Sequence, residues 1–325
     1  MSAIEATGLR KEFAGGVVAV QGLDLAIPEG QVFGFLGPNG AGKTTTVRML
    51  TTLLRPTSGS ARVAGFDLAR DPHAIRRTIG VALQEAGLDG LATGRELLVL
   101  QARLYGLGGA AVARRAAEML ELVGLTDAAD RRIKTYSGGM KRRLDLASAL
   151  IHGPRILFLD EPTGGLDPAS RHAIWDEVRH LNRDEGITVF LTTQYLEEAD
   201  RLCQDVAIID HGRIVAQGAP QALKASVGND VITVDVGQDR MEEATRALSA
   251  LHGVTDLRPD ASGLTLFVTD GSAAVAEAIR LLDRARIPVG SVAVSHPTLD
   301  EVFLRATGSR LEGADRTPPD GEEAP

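Results

Sequence analysis

The run Gly37-Pro38-Asn39-Gly40-Ala41-Gly42-Lys43-Thr44 limits what this chain can fold into more than any other stretch. Its Gly-x-x-x-x-Gly-Lys-Thr spacing suits one chemistry. Glycines let backbone N–H groups close on a β-phosphate, the lysine reaches the terminal phosphates, and the threonine hydroxyl takes Mg²⁺. Such a loop belongs between a buried strand and the positive end of a helix dipole. Both flanks are present, since Val32-Phe33-Gly34-Phe35-Leu36 is an apolar run and Val47, Leu50 and Leu54 recur at helical spacing. Gly37 through Thr44, with Thr45 in the first helical turn, are the candidate phosphate contacts.

Two later stretches extend this to hydrolysis. Ile156-Leu157-Phe158-Leu159 ends in Asp160-Glu161. A carboxylate at a strand end can hold Mg²⁺, and a second can handle an attacking water. Taken alone, the same pattern also fits a buried strand with a solvated acidic turn. Ser137-Gly138-Gly139 precedes Leu144, Leu146, Ala147, Leu150 and Ile151, so its amides fall at a helix N-terminus and offer a second anion site; without that helix it would be a plain loop.

The order of these three stretches resembles the nucleotide-binding subunit of an ATP-binding cassette (ABC) transporter, over roughly Ile4 to Leu223. The resemblance implies ATP and Mg²⁺ as ligands. It matches Gln84, after Ile79-Gly80-Val81-Ala82-Leu83, to a glutamine that touches Mg²⁺ and the lytic water and faces the membrane partner. Leu166-Asp167 matches a loop that crosses a dimer interface. Phe13 stands where the family stacks an aromatic on adenine, although a core phenylalanine is the alternative. Three positions depart from the common pattern. Tyr136 and Met140 flank an intact Ser-Gly-Gly, and Gln194 stands where a histidine normally meets the γ-phosphate. A glutamine amide donates a hydrogen bond but carries no proton at neutral pH. Tyr-Ser-Gly-Gly-Met with Thr-Thr-Gln-Tyr-Leu-Glu-Glu-Ala-Asp is similar to the branch of DrrA-like drug-export ATPases.

The resemblance also implies a mechanism. Two copies stack head to tail, with ATP between Lys43 and Thr44 of one chain and Ser137 and Gly139 of the other. Thr44, Asp160 and Gln84 serve Mg²⁺, Glu161 positions or deprotonates the water, and Gln194 donates to the γ-phosphate. Transport requires a separate integral-membrane permease at the cytoplasmic face of the membrane. Drug export is the expected role; export of lipid, polysaccharide or peptide is the alternative, and a soluble ABC ATPase acting on DNA or ribosomes is a rival from another class.

Composition narrows the field. A net charge of −8 argues against a nucleic-acid platform. Lys141-Arg142-Arg143, the notable basic cluster, is expected to form a solvated helix face. Nothing approaches the ~18 apolar residues of a membrane span, which suggests a cytoplasmic chain. The single Cys203 excludes an intrachain disulfide.

The expected architecture is an α/β P-loop NTPase of ABC type. Residues 1–228 form the nucleotide-binding domain, with an antiparallel β subdomain at the start and an inserted helical subdomain at about 86–150. The helical pattern covers Glu96 to Tyr105 and Ala110 to Val123. Residues 229–308 follow the βαββαβ order of a ferredoxin-like fold, and Thr298 with Glu301 has capping-box spacing for a last helix. The Pro-, Gly- and Glu-rich stretch 309–325 is expected to be disordered.

Overall fold

Alternation of apolar and polar residues sets the opening strands. In the computed structural model, which describes residues 2–84, 87–259 and 263–307, β1 (Ser2–Glu12) and β2 (Val18–Pro28) pair antiparallel. The apolar β3 (Val32–Leu36) is wholly buried and delivers the chain to α1 (Lys43–Leu50). That helix stops earlier than its periodicity suggests, because Thr51 caps it and Leu54 lies beyond it, packed half-buried on the core. Strands β4 (Ser58–Val63) and β5 (Phe66–Asp67) complete a sheet of order β2-β1-β4-β5.

After α2 (Pro72–Thr78) and β6 (Ile79–Ala82), the chain turns helical. Helix α3 (Gly94–Leu104) begins before Glu96 because Thr93 and Glu96 form a reciprocal cap, each backbone N–H donating to the other's side chain. Helix α4 (Ala110–Leu122) buries Val112, Ala116, Met119 and Leu120 along one face. Helix α5 (Gly138–Leu150) follows, then β7 (Ile156–Asp160), α6 (Pro168–Arg183), β8 (Thr188–Thr193), α7 (Leu196–Leu202), and the hairpin β9 (Asp205–Asp210) with β10 (Arg213–Gly218). His211 and Gly212 turn that hairpin with φ of 46° and 77°, the left-handed pair that a two-residue turn requires.

The second sheet has the order β10-β9-β3-β8-β7-β6, parallel except for β10. Parallel pairing brings the carboxyl ends of β3, β8, β7 and β6 to one edge in that spatial order. In open α/β sheets, ligands bind at this edge. One apolar core, with Ile4, Leu9, Phe35, Val47, Leu50 and Phe158 among its members, joins the two sheets through α1. Phe190 lies 5.5–5.7 Å, ring centre to ring centre, from Phe33, Phe35 and Phe158. These tilted aromatic contacts stiffen the strands that carry the site.

Residues 221–305 form a second compact unit. After α8 (Pro220–Val227), it comprises β11 (Asp230–Asp235), α9 (Met241–Leu248), β12 (Val254–Pro259), β13 (Gly263–Val268), α10 (Gly271–Arg284) and β14 (Ser291–Ser295), followed by α11 (Leu299–Thr307). The antiparallel sheet order β12-β13-β11-β14 is that of the ferredoxin-like fold. It has its own core, including Ile232, Leu248, Leu266 and Leu282. Thr298 and Glu301 make both bonds of the capping box. The tail 309–325, expected to be disordered, lies outside the described residues.

Candidate nucleotide and hydrolysis site

The phosphate loop is held in place by backbone contacts. Gly42 has φ +108°, and a Cβ there would stand 2.5 Å from the Ala19 carbonyl oxygen. Only glycine satisfies both conditions. The β9–β10 turn braces the loop from the other side, with Gly212 N–H donating to Ala41 O at 3.0 Å and Gln21 N–H donating to Gly212 O at 2.8 Å. Gly37, Pro38, Asn39, Gly40 and Ala41 therefore form a rigid turn that leads into Lys43, Thr44 and Thr45 at the start of α1.

Lys43 Nζ donates to Gly37 O at 2.7 Å and Pro38 O at 3.1 Å, and lies 3.2 Å from Glu161 Oε1. Both members of that ion pair are buried, with side chains only 4% and 7% exposed. Gln84, just past β6, donates from Nε2 to Glu161 Oε2 at 3.4 Å. Glu161 itself has φ +49°, an uncommon conformation for a non-glycine residue and one that functional sites favour. Its amide is anchored by β8, donating to both Thr192 O and Thr192 Oγ1 at 3.1 Å.

Asp160 is fully buried, and its Oδ1 accepts a short bond from the Thr192 hydroxyl. Its Oδ2 is buried without a hydrogen-bond partner among the described residues. An unsatisfied buried carboxylate oxygen is costly unless a cation or water meets it. The donor set of Asp160, Thr44 and Gln84 is all oxygen, as Mg²⁺ prefers, so these residues fit that ion. Gln194 is half-buried just past β8, where Thr193 O accepts from Gly37 N at 3.4 Å. Its backbone thus stands beside the start of the phosphate loop.

Phe13 is not a core residue. It is 41% exposed at the turn after β1, with the Lys11 ammonium 5.3 Å from its ring centre. The Ser137 hydroxyl caps α5 by accepting from Met140 N at 3.2 Å, while Ser137 and Gly138 face solvent. The Leu166–Ser170 stretch lies against this corner: a Cβ on Gly139 would come within 2.7 Å of Ser170 Oγ. Asp167 caps α6 through Ser170 N and Oγ, and these bonds hold its carboxyl below the usual range. The departure at Tyr136 has a local reason. Its ring is buried and its hydroxyl donates to Ala128 O at 2.6 Å, tying the turn to the helical segment.

One sequence expectation fails. The cluster Lys141-Arg142-Arg143 is not a solvated face, because Arg142 is only 9% exposed and Arg143 reaches Val123 O at 2.9 Å. Arg142 donates to Asp160 O, Pro162 O and Leu83 O, and pairs with Asp145 at 3.2 Å. Burial pulls the Arg142 pKa down and pushes the Asp145 carboxyl up to about 6. Thr192, which bridges Asp160 and the Glu161 amide, was likewise not singled out, since one threonine in a β-branched strand carries no distinguishing sequence signal.

Residues 20–164 match the family model for ABC transporters, and residues 218–307 match that for the C-terminal domain of DrrA1-3-like ATP-binding proteins. The daunorubicin/doxorubicin resistance ATP-binding protein DrrA of Streptomyces peucetius is 50% identical over 94% of this chain and 92% of its own length. This chain belongs to the ABC transporter ATP-binding protein family. Within it, the Nod factor export ATP-binding protein I of Ralstonia nicotianae is 39% identical, covering 94% of this chain and 93% of that protein. Among solved structures, a dimeric ATP-binding cassette in a post-hydrolysis state with ADP and Pi superposes with a TM-score of 0.62 at 25% identity, covering 66% of this chain and 98% of that one. The ABC subunit binds and hydrolyses ATP. Among its described residues, no helix is long and apolar enough to cross a membrane.

Proposed function

We propose that this ABC ATPase drives export of an amphipathic polycyclic drug through a separate integral-membrane permease, working as a homodimer at the cytoplasmic face of the membrane. The observation that carries the drug reading is the half-identical relative of nearly equal length whose name records daunorubicin and doxorubicin resistance. In the dimer, Lys43 and the Gly37–Thr44 amides grip the phosphates of one ATP, while Ser137, Gly138 and Gly139 of the other copy close on its far side and Asp167 lies at the junction. Phe13 stacks on the adenine.

Glu161 receives the proton of the attacking water or orients it, Gln84 holds the Glu161 carboxylate in place, and Gln194 donates to the γ-phosphate. Mg²⁺, when bound, neutralises charge developing on the phosphate oxygens. Asp160, Thr44 and Gln84 are the residues to hold it, and the partnerless Asp160 Oδ2 supports that role. The groove beside Gln84, lined by Leu53, Val81, Leu83, Leu97 and Tyr105, suits a cytoplasmic helix of the permease.

Energised efflux tests the drug reading. With its cognate permease in a drug-sensitive bacterium, the chain should raise anthracycline efflux over a permease-only strain, and Lys43→Ala should abolish the gain. Unchanged efflux from an assembled, ATP-hydrolysing complex would favour the second reading, a cargo of the Nod-factor kind, which rests on the relative from Ralstonia.

A further inference from the structure

We infer that Arg142 is a positioning residue for hydrolysis: it grips the backbone on both sides of Glu161 and ties that turn to the glutamine loop. From α5, its Nε donates to Pro162 O at 3.0 Å and its Nη2 to Asp160 O at 2.9 Å, the carbonyls that bracket Glu161. Nη1 donates to Leu83 O, the residue before Gln84, and to Asp145 Oδ2 at 3.2 Å. One planar guanidinium thus fixes the two loops whose side chains meet at the Gln84–Glu161 hydrogen bond.

The grip matters because Glu161 is held at φ +49°. A glutamate leaves the left-handed region unless its surroundings prevent it. Thr192 anchors the amide of Glu161, and Arg142 supplies the opposing hold on the flanking carbonyls. The guanidinium suits this task in a way an ammonium does not: its donors lie in a fixed plane and can serve carbonyls from two loops at once, whereas lysine offers a point charge on a flexible stem. A buried cation is a costly way to fill a position on the packed side of α5, where an apolar residue would serve stability as well. Because Ser137 caps the N-terminus of α5, movement of the Ser137–Gly139 turn reaches Glu161 through Arg142.

The inference rests on the reading of Glu161 as the group that handles the attacking water, and the test separates the two. ATPase kcat and KM, and equilibrium binding of a fluorescent ATP analogue, are measured in the assembled permease complex for the parent, Arg142→Lys, Arg142→Ala and Glu161→Gln. Arg142→Lys should lower kcat at least tenfold while nucleotide affinity and KM stay within about threefold. Added guanidinium should restore part of the Arg142→Ala rate, and Arg142→Lys should cause no further loss in the Glu161→Gln background. A kcat within twofold of the parent for Arg142→Lys, with Glu161→Gln inactive, overturns the positioning role; so does a parallel fall of kcat and affinity. Normal turnover by Glu161→Gln overturns the Glu161 reading instead, and this inference with it. Should Arg142→Lys fail to fold, Asp145→Ala removes one of the four partners: an approximately threefold fall in kcat with affinity kept supports the inference, and an unchanged kcat refutes it.

Discussion

The Lys43 ammonium lies 3.2 Å from the Glu161 carboxylate, and both are nearly inaccessible to solvent. The cation proposed to grip phosphate and the carboxylate proposed to handle water therefore pair with one another at the sheet edge. On the proposed mechanism, incoming ATP draws Lys43 toward its phosphates, which frees Glu161 to accept a hydrogen bond from water. That mechanism couples nucleotide binding to release of the base through one ion pair, whose disruption leaves a buried charge that needs a new partner.

Glu161→Gln should consequently stop turnover by at least about a hundredfold, the lower end of what a positioned general base contributes. ATP should bind as tightly as before or tighter, since the competing attraction on Lys43 is gone, and should trap a dimer visible by size-exclusion chromatography. Normal hydrolysis by this variant would remove Glu161 from the mechanism.

At the neighbouring strand end, Gln194→His should retain activity, because either side chain can donate the hydrogen bond proposed for the γ-phosphate. Gln194→Ala loses a bond to a charged acceptor worth roughly 1.5–3 kcal/mol, about a ten- to hundredfold loss in rate. Steady-state hydrolysis of the two variants side by side distinguishes them, and equal rates for Gln194→Ala and the parent would exclude a catalytic role.

Gly42→Ala should cripple the phosphate loop without touching any chemical group. At φ +108°, with the Ala19 carbonyl oxygen 2.5 Å from the new methyl, the strain is on the order of 1–3 kcal/mol. Nucleotide affinity should fall about five- to hundredfold by isothermal titration, with a lowered melting temperature. Gly40, whose Cβ direction is open, should tolerate alanine better despite its positive φ.

Asp145 gives the fold a pH dependence of its own. Its pKa rises from 3.8 to about 6, chiefly through burial and against the pull of Arg142. The native state thus holds a proton that the unfolded chain releases, so this contribution is complete below pH 3.8 and disappears as pH rises through 6. Asp145→Asn removes the titration. The stability of the Asn variant relative to the parent should therefore grow by roughly 2 kcal/mol between about pH 4 and 7, read from urea midpoints. A flat difference would mean that Asp145 titrates normally.

The C-terminal unit is expected to serve assembly and not chemistry. Its apolar core is its own, and Lys43, Gln84 and Glu161 all belong to the other unit. A chain ending at residue 220 should bind Mg·ATP with the parent's affinity yet form its dimer or permease complex less well. Loss of nucleotide binding in a well-folded truncated protein would overturn this division.

Sequence alone determined whatever local chemistry writes into consecutive residues. Gly42-Lys43-Thr44 and Ser137-Gly138-Gly139 announce helix starts, Ile156 to Asp160 a buried strand, and Thr298 with Glu301 a cap, because each depends on neighbours within about four positions. The order of elements beyond residue 228 was enough to give a ferredoxin-like sheet. Tertiary structure alone decided which side chains meet. Gln84, Lys43 and Glu161 converge because four parallel strands end at one edge, and no residue in any one strand records that register. Arg142 was misread for a deeper reason. Its partners are the carbonyls of Leu83, Asp160 and Pro162, groups that every residue carries, so nothing in the identity of those residues marks them as acceptors. A polar side chain on an amphipathic helix is assigned to the wet face by default, and only the packed structure shows that its charge is met inside.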